Sequence, residues 1–265
     1  MKNPHKIASF LVLALSLPLP CPAAQAGGKH LEVMAPMCRQ NDLLGRPHRV
    51  TEHSYESSEG KPEALESVSH WEYDKDGNEL RNETFDSSQR KVESQIYTYD
   101  AEGTWISLTE EADGELSRHR IAIDAKTRRI TKVNSESKQT EFITYSEGGF
   151  EVESITRNAE GKAVEKVTLQ RNAAGKEEHV LFEEPPGKTT TEFFLEWTPE
   201  GFQMTATLIM HDNDGAKIIT SYEYPETDAA GNWLTQIQKQ VLQEKNGERI
   251  RLPTVTVKRT ISYHP

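Results

Sequence analysis

Cysteine is almost missing. The chain has two, Cys21 and Cys38, and Cys21 falls in a stretch that reads as a removable leader, so an internal disulfide is excluded and stability must come from packing. Cys38 reads as a buried thiol, with pairing to another molecule as the alternative. Long apolar runs are also scarce: the one from Ile7 to Leu19 is too short for a membrane-spanning helix. No segment keeps a helical period. There is no G-x-S-x-G elbow, no H-E-x-x-H and no Gly-rich loop between a strand and a helix, which removes the commonest signatures of esterases, zinc peptidases and nucleotide binders. The nine histidines show no ligand spacing. The expectation is a non-enzymatic chain with no catalytic residues, no metal and no cofactor.

Basic charge is in deficit too. Residues 1–26 carry Lys2 and Lys6, the apolar run and then Ala24-Gln25-Ala26, the pattern of a secretory signal peptide. Pro20 and Pro18 do not suit the small-residue pattern that would make Cys21 a lipid anchor, so cleavage near Ala26 and release into the periplasm or beyond is expected. The leader takes two of the 31 Lys and Arg and none of the 42 Asp and Glu, leaving a net charge of −13. Such a balance argues against nucleic acid and anionic membranes as partners. It fits solubility or a basic protein partner.

What the chain has instead is a repeated turn. In Y-E-Y-P-E-T-D-A-A-G-N-W, Tyr222 to Trp233, an alternating aromatic strand runs into a four-residue turn from Asp228 to Gly231. An Asp or Asn in first place hydrogen-bonds the backbone two residues on, and a fourth-place glycine takes the left-handed conformation that closes a bulged hairpin. Copies with that glycine begin at Ser57, Asp74, Asp100, Ser146, Asn158, Asn172, Glu184, Thr198, Asp212, Asp228 and Glu244, which accounts for eleven of the sixteen glycines. Asp86, Ala112, Asp124 and Asn134 begin copies without it. A repeat at this period governs the whole fold.

Between turns the pattern has period two. Trp71 and Tyr73 share a face, as do Tyr97 and Tyr99, Tyr222 and Tyr224, and the run Phe202, Met204, Ala206, Leu208, Met210. This predicts antiparallel strands with one buried face. The predicted fold is all-β: a long antiparallel meander of hairpin repeats in one domain over residues 47–265, after an irregular segment at 27–46. Fifteen turns allow up to sixteen strands, and a twisted open sheet of more than about ten curls, so an open shell or wide barrel-like sheet is expected. A barrel in lipid is disfavoured by Glu72, Glu196 and Glu223 opposite the aromatics.

Y-D-K-D-G-N-E-L at Tyr73–Leu80, Y-D-A-E-G-T-W at Tyr99–Trp105 and T-D-A-A-G-N-W at Thr227–Trp233 resemble YD repeats of the Rhs type. R-N-A-E-G-K at 157–162 and R-N-A-A-G-K at 171–176 are similar to relaxed copies. In large Rhs proteins such repeats build a β-shell around a toxin. The leader, the small size and the lack of a toxin-like C-terminal domain depart from that plan, so the resemblance implies strand geometry rather than toxin activity.

Two interruptions of the alternation mark binding candidates. At Trp105-Ile106-Ser107-Leu108 a strict alternation sets Trp105 opposite Ile106 and Leu108, and in Phe193-Phe194-Leu195-Glu196-Trp197 it sets Phe194 opposite its apolar neighbours. Each is either covered where the sheet rolls onto itself or an exposed aromatic anchor. The oxygen-rich stretches at Asp74–Asn78 and His211–Gly215 coincide with the repeated turn, which explains them without calcium. Charged pairs such as Glu110-Glu111 and Glu177-Glu178 read as a solvated face. The function classes that remain are, in order, a periplasmic protein-binding module, most concretely an immunity protein neutralising an antibacterial toxin such as a phospholipase or wall hydrolase; a cell-envelope structural or carrier protein holding a lipid, glycan or polypeptide in a curved β groove; and a hydrolase with a loop-built site.

Overall fold

The computed structural model of the protein describes residues 30, 33–40, 43–58, 61–213 and 215–265; the expected leader at 1–26, with Cys21, lies outside them. Seventeen antiparallel strands form one sheet. They are β1 (Pro47–Ser57), β2 (Ala64–Tyr73), β3 (Glu79–Asp86), β4 (Lys91–Tyr99), β5 (Trp105–Ala112), β6 (Glu115–Asp124), β7 (Arg129–Asn134), β8 (Thr140–Tyr145) and β9 (Glu151–Arg157). After these come β10 (Ala163–Arg171), β11 (Glu177–Glu183), β12 (Thr189–Trp197), β13 (Gln203–Met210), β14 (Ala216–Thr227), β15 (Trp233–Gln243), β16 (Arg249–Arg251) and β17 (Thr254–Tyr263). Each strand from β1 to β15 pairs with the next, β15 pairs with both β16 and β17, and β1 also pairs with β17 from Pro47↔Tyr263 to Ser57↔Thr254. The meander therefore closes on itself. Of the two expected curled forms, the barrel is the one adopted and the open shell is not, because closure leaves no edge with unpaired backbone groups.

Sixteen strands make the ring. β16 and β17 are one strand interrupted at Leu252-Pro253: Val241 faces Arg251 and Gln238 faces Val255, so one residue is added on the side of the proline. Proline cannot donate to the ladder and sits where the pairing is broken.

The turns follow their sequence signals. Asp74 Oδ1 accepts from the backbone N–H of Asp76 at 2.8 Å and of Asn78 at 2.9 Å, and Asp100, Asn172 and Asp228 repeat the pattern. One copy differs. The link predicted to start at Ala112 is a two-residue turn, Asp113-Gly114, with φ of 51° and 82° and Ala112 paired to Glu115, the geometry of a tight hairpin.

Turns of alternate hairpins gather at opposite ends of the barrel. At one end, which holds the turns at 74–78, 100–104, 125–128, 146–150, 172–176, 198–202 and 228–232, the register shifts by one residue beside every turn except the one at 125–128. A bulge of this kind breaks the alternation. It faces Glu79, Trp105, Glu177, Gln203 and Trp233 inward, all buried, and turns Leu80, Ile106 and Met204 outward. Trp105 and Leu108 consequently share the inner face, against the strict alternation expected of them. Met204, expected beside Ala206 and Leu208, is 45% exposed on the outside for the same reason.

The N-terminal segment closes that same end. It enters with the helical turn α1 (Met37–Gln40) and crosses the barrel end. Cys38 N bonds Gly77 O at 2.9 Å and Ala35 N bonds Gly149 O at 2.8 Å, tying it to the turns after β2 and β8. Val33, Met34, Met37, Cys38 and Leu43 pack with Val50, Tyr73, Trp105, Leu108, Ile130, Ile143 and Tyr145 in the larger hydrophobic core. Fully burying an aliphatic side chain contributes about 1.5–3 kcal/mol, so this stopper is integral to the domain. It reaches the turns after β2, β4, β6, β8 and β14, further than the first strands expected to hold it.

Candidate binding lumen

A ring of sixteen strands is wide enough for an aqueous interior. At the stoppered end the inner face is packed; toward the other end inward residues such as Glu56, Glu93, Glu115 and Glu165 are exposed, so among the described residues the barrel is a cup stoppered at one end.

The walls of the cup differ. Over β4–β8 the inner face carries a charged network. His119 Nε2 lies 2.7 Å from Glu110 Oε2, Lys132 Nζ lies 3.1 Å from Glu110 and 3.8 Å from Glu141, and Ser154 Oγ on β9 donates to Glu141 at 2.7 Å. Glu93 pairs in register with Thr84 and Ala112 on the same face. Burial, then the Glu110 carboxylate, raises the Glu93 carboxyl above its usual range. Burial, then Glu141, does the same to Glu165. Such shifts mark a wall short of positive charge. His119 is pushed down by burial and then by Lys132.

Over β10–β14 the middle of the inner face is apolar, with Glu165 of β10 at the mouth beside the carboxylates and Glu177 and Gln203 buried at the stoppered end. Val180, Leu195 and Ala206 pack with Val167, Leu169, Phe182, Phe193, Trp197 and Tyr222, and Leu208 and Ile218 extend the surface as a cross-strand pair. Phe182 and Phe193 meet edge to face at 5.8 Å. Between the two walls, Glu52 on β1 is ion-paired to the buried Arg259 of β17, whose guanidinium lies 3.5 Å over the Trp233 ring.

Beneath the lumen lies an acidic pair, Glu177 buried and Glu151 half-buried. Arg171 donates to Glu177 Oε1 at 2.7 Å and to the Glu151 carbonyl at 3.1 Å. Burial, followed by the Glu141 and Glu177 carboxylates and opposed by Arg171, pushes the Glu151 carboxyl up to about 7. On the opposite side of the stopper His30 is fixed as a neutral tautomer: Nδ1 accepts from Trp105 N at 3.1 Å, so Nε2 donates to Asn78 Oδ1 at 2.9 Å. Burial lowers its basicity to match.

The two aromatic candidates part company. Trp105 is 5% exposed, its ring 5.7 Å from Tyr97 and its indole N–H bonded to Ser107 O at 2.9 Å; it belongs to the core and is no exposed anchor. Phe194 is 41% exposed on the outer wall, stacked on His179 at 4.5 Å beside a Glu192 shared by His179 and His211. The structure does not bring these candidates together. Reading the acidic pairs as a solvated face missed one member of each: Glu110 faces the lumen and Glu177 is buried, while Glu111 and Glu178 face out. Alternation separates adjacent residues in this way, and that was the available signal. Among the described residues no group of three His, Cys, Asp or Glu side chains is arranged to hold a metal ion, and both oxygens of Asp74 are taken up by its own turn.

No protein-family model matches the chain. No curated protein matches it either. Among solved structures, a porin-like protein from Bacteroides uniformis is similar at 11% identity and a TM-score of 0.37, over 83% of this chain and 98% of that one. A porin-like protein from Bacteroides vulgatus is similar at 12% identity and a TM-score of 0.39, over 80% and 98%. The TcdB2-TccC3-Cdc42 structure matches 76% of this chain at 11% identity and a TM-score of 0.35, and this chain covers 13% of that one. Among the described residues no helix is long and apolar enough to cross a membrane, which leaves strands unaddressed.

Proposed function

We propose that the chain is a non-enzymatic binding protein of the periplasm or cell exterior, built from YD-type repeats, that holds a basic, amphipathic polypeptide segment of a partner protein in its lumen. The observation that carries this reading is the division of the lumen into a carboxylate wall over β4–β8 and an apolar wall over β10–β14. A segment with Lys or Arg on one side and apolar residues on the other satisfies both walls at once, and its charge offsets the mutual repulsion of Glu93, Glu110 and Glu141. The outer wall supports a water-facing barrel: Arg49–Glu72, Arg81–Glu83, Lys166–Glu153 and Lys239–Glu223 lie on it as ion pairs, and charge at mid-membrane depth is costly there. The most concrete partner is an antibacterial toxin acting in the envelope, with this chain as its immunity protein.

Calorimetric titration of the mature protein with a synthetic peptide alternating Lys and Leu tests the binding reading. Salt-sensitive binding is expected, with a loss of about tenfold in the Glu93→Gln/Glu165→Gln variant. Equal binding of a Glu/Leu peptide would sink it. Co-expression with the toxin of a neighbouring gene tests the biological role: the full-length chain should protect and a form lacking residues 1–26 should not. The continuous apolar wall favours one second reading, a carrier of lipid or glycan, and a co-purifying lipid or glycan with no peptide binding would establish it.

A further inference from the structure

The geometry points to a second binding site, on the outer face of β7–β9, for a carboxylate or phosphate group carried on an aromatic ring. Register places Phe142 at its centre, between Thr131 and Ile155, with Arg129 level with Thr144 and Glu153, and Arg157 level with Thr140. The two guanidinium carbons lie 5.8 Å and 6.0 Å from the Phe142 centroid. Together with Thr144, Glu153 and Ile155 they line a cleft of about 140 Å³.

At other places on the outer wall cations meet carboxylates, as Arg49 meets Glu72, Arg81 meets Glu83 and Lys239 meets Glu223. In the cleft they do not. Glu153, the one carboxylate lining it, is held by Lys166 at 3.0 Å. Among the described residues the Arg129 side chain makes no hydrogen bond or ion pair, and the Arg157 side chain donates only to Gly161 O, at 2.8 Å. Two exposed arginines on a chain of net charge −11 thus leave most of their N–H groups facing solvent around an apolar floor. A guanidinium presents paired donors that match carboxylate and phosphate oxygens, and Phe142 offers a ring for offset or edge stacking. Shielding Phe142 would need only one of the two arginines. An aryl anion uses both arginines and the ring, and the cleft lies outside the barrel wall, so this site stands or falls independently of the lumen.

The test titrates the mature protein with phenyl phosphate, benzoate and inorganic phosphate, followed by amide chemical shifts. Aryl anions should bind more tightly than inorganic phosphate, with shifts on β7–β9. Both Arg129→Gln and Arg157→Gln should weaken binding about tenfold, whereas Arg120→Gln, on the exposed face of β6, should not change it. Phe142→Leu should erase the preference for the aryl compounds while retaining phosphate. A preference for phenyl phosphate assigns phosphate as the group, and one for benzoate assigns carboxylate. Absence of aryl-anion binding at about 10 mM, well above an ordinary site's dissociation constant, overturns the proposal. Equal losses in the Arg120 variant, or none in the Arg129/Arg157 double variant with its melting point unchanged, overturn it as well.

Discussion

Asn232 holds both backbone groups of Leu44, 188 residues earlier in the chain: Leu44 N donates to Asn232 Oδ1 at 2.6 Å, and Asn232 Nδ2 donates to Leu44 O at 3.1 Å. The same amide reaches Tyr263 Oη at 2.6 Å, so one buried side chain links the stopper, the turn after β14 and the closing strand. Asn232→Ala leaves the partners' polar groups unsatisfied and should cost about 2–4 kcal/mol. A urea melt gives the loss, and hydrogen exchange at Leu43 and Leu44 should rise with it. Unchanged exchange there would show that the stopper is held by its apolar side chains alone.

Gly77 and Gly161 share a φ near +80° but differ in surroundings. A Cβ on Gly77 would lie 2.5 Å from Cys38 Sγ, whereas one on Gly161 meets nothing within 4 Å. Both alanine variants carry the backbone strain of a left-handed residue. Gly77→Ala should lose about 1–3 kcal/mol more, the cost of overpacking. Equal denaturation midpoints would place Cys38 elsewhere than against this turn.

Trp105 and Phe194 should respond to alanine in opposite ways. Trp105→Ala empties a site in the larger core and should cost about 3–5 kcal/mol. Phe194→Ala removes a ring from the outer wall and should stay within about 1 kcal/mol. Thermal unfolding of the two variants distinguishes them. If Phe194 anchors a partner, its variant should weaken binding with the melting point preserved.

Stability should carry a pH signature from Glu151. Its carboxyl titrates near 7 in the folded chain and near 4.3 when unfolded. Between those values the folded state binds the extra proton, so stability falls as pH rises through the window and the penalty is complete above it. Glu151→Gln should therefore stabilise the protein at pH 8 by about 2–3 kcal/mol and have little effect at pH 4. Urea midpoints at the two pH values check this, and an equal gain at both would remove the assignment.

The hairpins were legible because their causes are local. An Asp, Asn or Ser that bonds its own turn, a residue at positive φ and a strand alternating in twos are settled within about a dozen residues, so the turns at Asp74, Asp100 and Asp228 and the shared inner face of Trp71 and Tyr73 follow from sequence alone. The acidic excess and the shortage of cysteine are likewise properties of composition.

Three things needed the tertiary structure. Closure depends on β1 meeting β17, a pairing of residues some 200 positions apart that no local signal encodes. The bulges after β4 and β12 each insert one residue, and a one-residue slip moves the side chains beyond it to the other face; they put Trp105 inside and Met204 outside. The environment of a charge is also collective. Glu110 and Glu177 look like their neighbours Glu111 and Glu178 in sequence; alternation separates the members of each pair, but only closure of the ring decides that the inner face of Glu110 lines a lumen while Glu177 is buried, and that burial raises the Glu177 carboxyl above its usual range.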